Sequence, residues 1–464
     1  MIQAVSWSVI EVAMKYVIPI ALLISLATAC TADVNPDYEQ EINDAEFYHR
    51  SVKQLTDVIV HDIFSPPQAG RIYAYAGLAG YEAVATGDPN WQSLAGQITD
   101  LTEVPQPADD QVINHNIAAI SAMLKTGKSL IFSGDRIEDF EESLMEELEA
   151  IQAPAGLIED SWSYGEQVAD HIIEWTKADN YAQSRSFPKF TITGEPGRWE
   201  PTPPDYMPGI EPSWSTIRTL TLDSAAQFKP LPPTAFSTDQ SSQWWEEVLE
   251  VYGALQVEDE AELAERQAIA EFWDCNPYAM QHRGHLMFAT KKISPGGHWI
   301  NITGIAARKA EADFGSTAAA YALVGIALHD AFISCWDEKY RSALVRPETF
   351  INEHIDPEWM PLLQTPPFPE HTSGHSVVSR ASAIILTDFF GENFAFDDDS
   401  EVEFGLPIRS YPSFLIASEE AAVSRLYGGI HYRPAIDYGL TQGESVGLHV
   451  LEQLDMRGQY SEIK

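Results

Sequence analysis

The chain of 464 residues carries 28 basic against 69 acidic residues, a formal net charge of −41. A surface this acidic repels nucleic acid and anionic lipid headgroups, so neither is an expected partner, and salty water screens its self-repulsion. With 45 % hydrophobic residues the chain can bury a large core, and any cluster of Lys and Arg within it is a local exception.

At the N-terminus Lys15 precedes an apolar run from Tyr16 to Ala27, closed by Ala-Thr-Ala-Cys at 27–30. A basic residue, a short apolar stretch and small residues before a cut are the parts of a secretory signal. The pattern starts cleanly at Met14, which can serve as the initiating residue. The cysteine at the cut predicts a lipoprotein signal with Cys30 acylated, and cleavage after Ala29 is the competing reading. The expected location is therefore outside the cytoplasm, periplasmic or at the cell surface. A lipid anchor is the one expected link to a membrane, because no later stretch reads as a span of about 20 apolar residues. Residues 31–45 are polar and predict a tether.

From Glu46 to Lys177 apolar residues recur at three and four, as in Ile113-Ile117-Ile120 and Leu144-Leu148-Ile151, and predict helices. Pro66-Pro67, Ser133-Gly134 and Pro154-Ala155-Gly156 punctuate them. The stretch 186–236 contains Pro188, Pro196, Pro201, Pro203, Pro204, Pro208, Pro212, Pro230, Pro232 and Pro233, which exclude helix interiors and central strands. Trp199 and Trp214 within it argue against disorder, so it predicts an ordered belt lying over helices. Helical periodicity resumes over 241–272. A long Ala-rich helix follows over 317–345, stopping at Arg346-Pro347 because proline disfavours helix in the residue before it. Further helices are predicted from Ser373 to Phe390, over 418–427 and over 434–454. Alternating strand patterns are scarce and no repeat is visible. The chain is expected to be all-α, one unit of two helical halves: 46–240 with the belt, and 241–464.

Beyond Cys30 only Cys275 and Cys335 remain. A disulfide and two buried free thiols are both open. No Cys-x-x-Cys spacing occurs, which argues against a zinc site.

Three segments concentrate chemistry. The first is Lys339-Tyr-Arg-Ser-Ala-Leu-Val-Arg346-Pro347, where seven residues, two helical turns, would put Lys339 and Arg346 on one face. A solvated basic face is the bland alternative, but Trp336, Leu344 and Val345 surround the pair. The second is Pro366-Pro-Phe368-Pro-Glu-His-Thr-Ser373-Gly374-His375. Ser373 can simply cap a helix. A helix N-terminus also offers free N–H groups to an oxyanion, Gly374 allows close backbone approach, and His375 would stand beside the anion as a proton donor. The third is Ser424-Arg425-Leu-Tyr-Gly428-Gly429-Ile-His431. Arg425 offers a planar fork, and the glycine pair turns the chain so that His431 faces the same site. Three fixed cations, a hydroxyl, a helix N-terminus and two histidines suit a multiply charged tetrahedral anion.

The order Lys-x6-Arg-Pro, Ser-Gly-His, Ser-Arg-x5-His within residues 339–431 resembles the three-part signature of vanadium-dependent haloperoxidases and type 2 phosphatidic-acid phosphatases. Glu271-Phe-Trp-Asp274 and Pro295-Gly-Gly-His298-Trp299 also resemble segments of bacterial haloperoxidase-like proteins. The resemblance implies a helical bundle fold with vanadate, or phosphate, in the pocket. It implies that Lys339, Arg346, Ser373, the Gly374 amide and Arg425 hold the anion oxygens. His431 would bond vanadium or attack phosphorus, and His375 would be the acid–base group. Asp274 would brace Arg425 from behind, while Pro295–His298, lacking the serine, would be structural. The chain departs from the family in having Thr372 where proline is usual. It also has Ala435 where the phosphatase pattern has an Asp four residues after the last His; Asp437 comes six after.

The first expected function is therefore a vanadium-dependent haloperoxidase, which uses hydrogen peroxide to oxidise a halide to hypohalous acid, with Lys339 activating the peroxide. Trp336, three before the Lys, and Phe368, seven before His375, match aromatics that flank the halide region of chloroperoxidases. Core packing explains such a pair equally well. The alternative is a soluble exported acid phosphatase with a phospho-His431 intermediate. A non-catalytic anion-binding surface lipoprotein is third.

Overall fold

The computed structural model describes residues 34–108, 111–277, 280–283, 286–289 and 291–458; the expected signal and Cys30 lie outside them. The described chain is helical, as expected. Helices α1 (Tyr38–Ile42) and α2 (Glu46–His61) lead into α3 (Pro66–Ala85). Pro66-Pro67 start this helix, as expected for residues whose missing N–H costs nothing in a first turn, and Ser65 and Gln68 close a capping box around it. Next come α4 (His115–Lys128), α5 (Asp135–Ala150), α6 (Leu157–Thr176) and α7 (Tyr181–Ser184). After the belt follow α8 (Gln243–Gly253), α9 (Glu260–Phe272), α10 (Pro295–Lys309) and α11 (Phe314–Ser342). The last are α12 (Pro347–His354), α13 (Gly374–Phe390), α14 (Phe414–Tyr427) and α15 (Arg433–Gln453). Two 3-10 turns, Trp214–Thr216 and Val402–Phe404, and two short antiparallel strand pairs, Met280–Arg283 with Leu286–Ala289 and Phe396–Asp398 with Arg409–Tyr411, complete the described elements.

The core is organised around α11. Its 29 residues are long and apolar enough to cross a membrane, contrary to the expectation that no such stretch follows the N-terminus, but its apolar window is wholly buried inside the protein. It crosses α3 nearly backbone to backbone: a Cβ on Gly325 would meet Ala74 Cα and the Tyr73 carbonyl at 3.0 Å. Glycine and alanine at this crossing are what let two helices from opposite halves of the chain pack so closely. The C-terminal pair uses the same device. Gly439, Gly443 and Gly447, four apart on α15, face α13, where a Cβ on Gly443 would lie 2.2 Å from the Val377 carbonyl.

The proline-rich belt is ordered and lies on α11. The Trp199 N–H donates to the Ala343 carbonyl at 2.8 Å, and the Val345 N–H to that of Gly197 at 3.0 Å. Farther on, the Ile210 carbonyl accepts from Trp336 Nε1 at 3.2 Å and from the Tyr340 hydroxyl at 2.5 Å. Asp330, fully buried on α11, accepts from the Leu220 and Thr221 N–H groups, both at 2.8 Å, and from the Thr221 hydroxyl at 2.6 Å. Trp199 and Trp214 are buried.

Two expectations change here. The long helix ends at Ser342, not 345, because Ala343 turns left-handed (φ 45°) and Leu344 pairs with Arg198 of the belt. Lys339 and Arg346 therefore do not share a helical face; Arg346 arrives at the N-cap of α12. Cys275 and Cys335 are separate, buried free thiols, so the disulfide alternative falls.

Candidate active site

Five helix ends supply the predicted residues. Lys339 lies in the last turn of α11 and Arg346 at the start of α12. Ser373 caps α13, its hydroxyl accepting from the Ser376 N–H, and Gly374 opens that helix. Arg425 sits in the last turn of α14. Gly429, at φ 77°, reverses the chain so that His431 comes back just before α15. Trp336, Phe368, Gly374, His375, Arg425 and His431 line one cavity. Lys339, Arg346 and Ser373 stand fully buried behind that lining.

The aromatic pair is part of the same assembly. Trp336 and Phe368 rings lie 5.0 Å apart. The Phe368 ring is 5.0 Å from Lys339 Nζ and 5.1 Å from the Arg346 guanidinium, so its face carries two cations.

Each cation is held by backbone carbonyls. Lys339 Nζ donates to the carbonyls of Pro369 and Glu370 at 3.1 Å and of Thr372 at 2.5 Å. Thr372, in place of the usual proline, receives Lys339 through its main-chain carbonyl and sends its hydroxyl to Gln442 Oε1 at 2.7 Å. Arg346 donates to the carbonyls of Phe368 at 2.9 Å and Ile430 at 2.8 Å, and its Nη1 lies 3.2 Å from His431 Nε2. Arg425 donates through Nε to Ser424 at 2.9 Å and through Nη2 to the Trp273 carbonyl at 2.6 Å. Asp274, expected to brace Arg425, instead pairs with Lys292 at 2.5 Å and reaches Arg425 only through its field. The carbonyls of Trp273 and, at 3.4 Å, Ala270 do the bracing.

Sequence reasoning missed Glu370. This fully buried carboxylate accepts from His431 Nδ1 at 2.8 Å and from the Tyr432 N–H at 2.9 Å. With the Arg346 guanidinium donating at Nε2, the imidazole proton sits on Nδ1. Glu370 thus fills the supporting role that Ala435 cannot, while Asp437 stands apart, next to Arg433 and Glu250. The signal for it was a lone carboxylate three residues ahead of Ser373, inside a segment otherwise built to attract anions.

Burial dominates the electrostatics. It pushes the Lys339 ammonium down to about 8 and the Arg346 guanidinium to about 10. It raises the Glu370 carboxyl to about 7 despite the pull of Arg346 and Lys339. Burial, reinforced by neighbouring cations, holds His375 and His431 well below the ordinary histidine value, so both are neutral and the lone pair on His431 Nε2 accepts from Arg346. Arg346 Nη2 and His375 Nε2 are buried without a protein partner among the described residues. Arg346 Nη2 is an orphan donor, which is costly to bury and is satisfied if an anion accepts from it. His375, whose Nδ1 proton goes to the Trp273 carbonyl, presents Nε2 as a bare lone pair that bonds an anion once it takes up a proton. A tetrahedral oxyanion such as vanadate fits this donor set.

Comparison with known proteins agrees. A crystal structure of a bacterial vanadium-dependent iodoperoxidase is 51 % identical, covers 90 % of this chain and 98 % of its own, and superposes with a TM-score of 0.84. The chain belongs to the vanadium-dependent haloperoxidase family. Residues 319–458 of this haloperoxidase-family chain match the family model described as the VCPO second helical-bundle domain, which spans Lys339 to His431. Two crystal structures of bacterial vanadium-dependent chloroperoxidase, holo and apo, share the fold at 17 % identity. They have TM-scores of 0.62 and 0.61, cover 84 % and 82 % of this chain, and match over 93 % and 92 % of their own. A comparison with curated proteins finds no match.

Proposed function

We propose that this protein oxidises iodide with hydrogen peroxide, holding vanadate in the cavity between Arg425 and His431. The overall change is iodide, peroxide and one proton giving hypoiodous acid and water. The observation that carries it is a cavity lined by Arg425, His375 and His431, with an unpartnered His375 Nε2 and, behind the lining, an unpartnered Arg346 Nη2 beside the unprotonated Nε2 of His431. The preference for iodide among halides rests on the 51 % identical iodoperoxidase.

Bound vanadate supplies the centre at which peroxide becomes open to attack by halide. The protein does the rest. Arg346 and Arg425 neutralise the anion's charge, and the Ser373 hydroxyl and Gly374 N–H donate to its oxygens. His431 offers Nε2 as a ligand, and Glu370 fixes its tautomer, the role a carboxylate behind a metal-bound histidine commonly plays. His375, neutral beforehand, takes up or releases a proton beside the anion. Lys339, whose N–H groups donate to turn carbonyls, would turn one of them towards an oxygen of the bound anion. Trp336 and Phe368 give the halide an apolar wall that strips water from it.

A phosphatase reading has one observation in its favour: the Glu370–His431 pair would equally orient a nucleophilic imidazole. A paired assay on purified full-length protein separates the two. Vanadate-dependent oxidation of iodide, ranked against bromide and chloride and lost in His431→Ala, is the expected result. Phosphate-ester hydrolysis by vanadate-free protein, inhibited by vanadate and lost in the same variant, would overturn it.

Export belongs to the same proposal. The segment from Lys15 to Cys30 supports a periplasmic or surface location. Mass spectrometry of the mature N-terminus distinguishes an acylated Cys30 from cleavage after Ala29.

A further inference from the structure

Next to the anion cavity lies a cluster that the proposed reaction does not use. Cys275, His298, Asp398 and Glu401 are all buried, with at most 3 % of any residue exposed. Cys275 Sγ lies 3.4 Å from His298 Nδ1 and 3.9 Å from Glu401 Oε1, and Glu401 Oε1 lies 3.2 Å from the same ring nitrogen. The other nitrogen of the ring, Nε2, bonds Asp398 Oδ2 at 2.8 Å.

We infer that Cys275, His298 and Glu401 form a binding site for a divalent ion of the zinc class, separate from the anion site. Three arguments converge. The first is shape. Zinc–ligand bonds of about 2.0 to 2.3 Å in tetrahedral array put ligand atoms roughly 3.3 to 3.6 Å apart. The three observed separations bracket that range, and the three ligand atoms form one compact triangle. The second is charge. Asp398 and Glu401 are buried carboxylates with no Lys or Arg partner among the described residues; they share the single imidazole of His298, so even protonated it sets one positive charge against two negative. Buried negative charge needs a cation close by. The third is support. Asp398 accepting from the far nitrogen of the ring is the arrangement that orients a metal-bound imidazole, and Trp273 stacks on its face at 4.4 Å.

The donor set of thiolate, imidazole and carboxylate favours zinc over calcium or magnesium, which take oxygen ligands. Cys275 also lines the cavity with His375 and Arg425, which gives a fourth position access to water. Binding replaces the thiol proton and the proton shared at His298 Nδ1, both of which leave to solvent. The missing Cys-x-x-Cys pair spoke against zinc, but these ligands come from three separated places: the end of α9, the first turn of α10, and the loop after Phe396–Asp398.

The site has a consequence for the cavity. Cys275 is two residues past Trp273, whose carbonyl receives Arg425 Nη2 at 2.6 Å and also bonds His375. A metal on Cys275 anchors the strand of chain that aims both residues. These ligands are positioning residues; none touches the anion.

The test uses the full-length protein, with cobalt as probe. Elemental analysis should find one zinc per chain in addition to vanadium. After chelation, cobalt should bind at one equivalent with a thiolate-to-metal charge-transfer band. The band should vanish in Cys275→Ala, persist in Cys335→Ser, and need about 10- to 100-fold more cobalt in Asp398→Asn. Glu401→Gln, close to isosteric, should weaken binding while circular dichroism confirms the fold. Absence of the thiolate band in folded wild-type protein at excess cobalt would overturn the site. His298 would then bridge the carboxylates as an imidazolium.

Discussion

His431 Nδ1 lies 2.8 Å from Glu370 Oε1, across 61 residues of sequence and with both groups buried. That bond decides which ring nitrogen faces the cavity. Glu370→Gln preserves shape but replaces an ionisable acceptor with an amide that cannot take a negative charge. We expect vanadate affinity to fall about 10- to 100-fold, in line with other carboxylates that support metal-bound histidines. Titrating peroxidase activity against added vanadate measures this. Unchanged affinity in a folded variant would remove Glu370 from the site.

Lys339 carries the clearest pH dependence. Burial sets its value at about 8, below that of an ordinary lysine, so it is charged below that pH and loses charge as pH rises through it. An anion prefers the charged form. Vanadate or phosphate affinity should therefore be full below pH 8 and decline above it, with proton uptake on binding in that upper range. Calorimetry in two buffers of different ionisation enthalpy reads the uptake directly. Lys339→Arg, whose charge persists, should flatten the decline; the same slope in both proteins would refute the assignment.

Asp330 ties the belt to the central helix. Asp330→Ala leaves the Leu220 and Thr221 N–H groups and the Thr221 hydroxyl without their acceptor. Each buried donor so orphaned costs about 1–3 kcal/mol. Limited proteolysis should cut near residues 218–222 well before the helices unfold. Cleavage no faster than in the parent protein would mean that the belt is held elsewhere.

The contact of α15 on α13 is tight enough to test with one methyl group. Gly443→Ala would place a carbon 2.2 Å from the Val377 carbonyl. The helices must part, at a cost of about 1–3 kcal/mol. Denaturant unfolding should show a lower midpoint with an unchanged slope, and vanadate affinity should weaken because Ser373 and His431 are carried by these two helices.

The sequence was most legible where structure is decided locally. The helix Gly374–Phe390 follows from its own Ser373 cap and apolar spacing, and the belt's order from tryptophans among prolines. The anion residues were legible because their spacing is a pattern. What escaped depends on distant partners. The α11 helix stops at Ser342 because Leu344 pairs with Arg198, a contact that helical periodicity cannot report. Glu370 was hidden by its distance from His431. Asp274 was placed behind Arg425, but Lys292 claims its carboxylate and leaves the bracing to main-chain carbonyls, which no side-chain pattern encodes.

The crossing of α3 and α11 joins the first half of the chain to the second. Gly77 and Ala74 belong to one, Ala322 and Gly325 to the other, and the separation leaves no room for a side chain between them. A gene cut between residues 240 and 241 would therefore encode two fragments, each with its longest apolar helix bare on one flank. Each fragment would expose in water the glycine- and alanine-lined face that the other covers, so the catalytic half draws part of its stability from a helix encoded about 250 residues earlier.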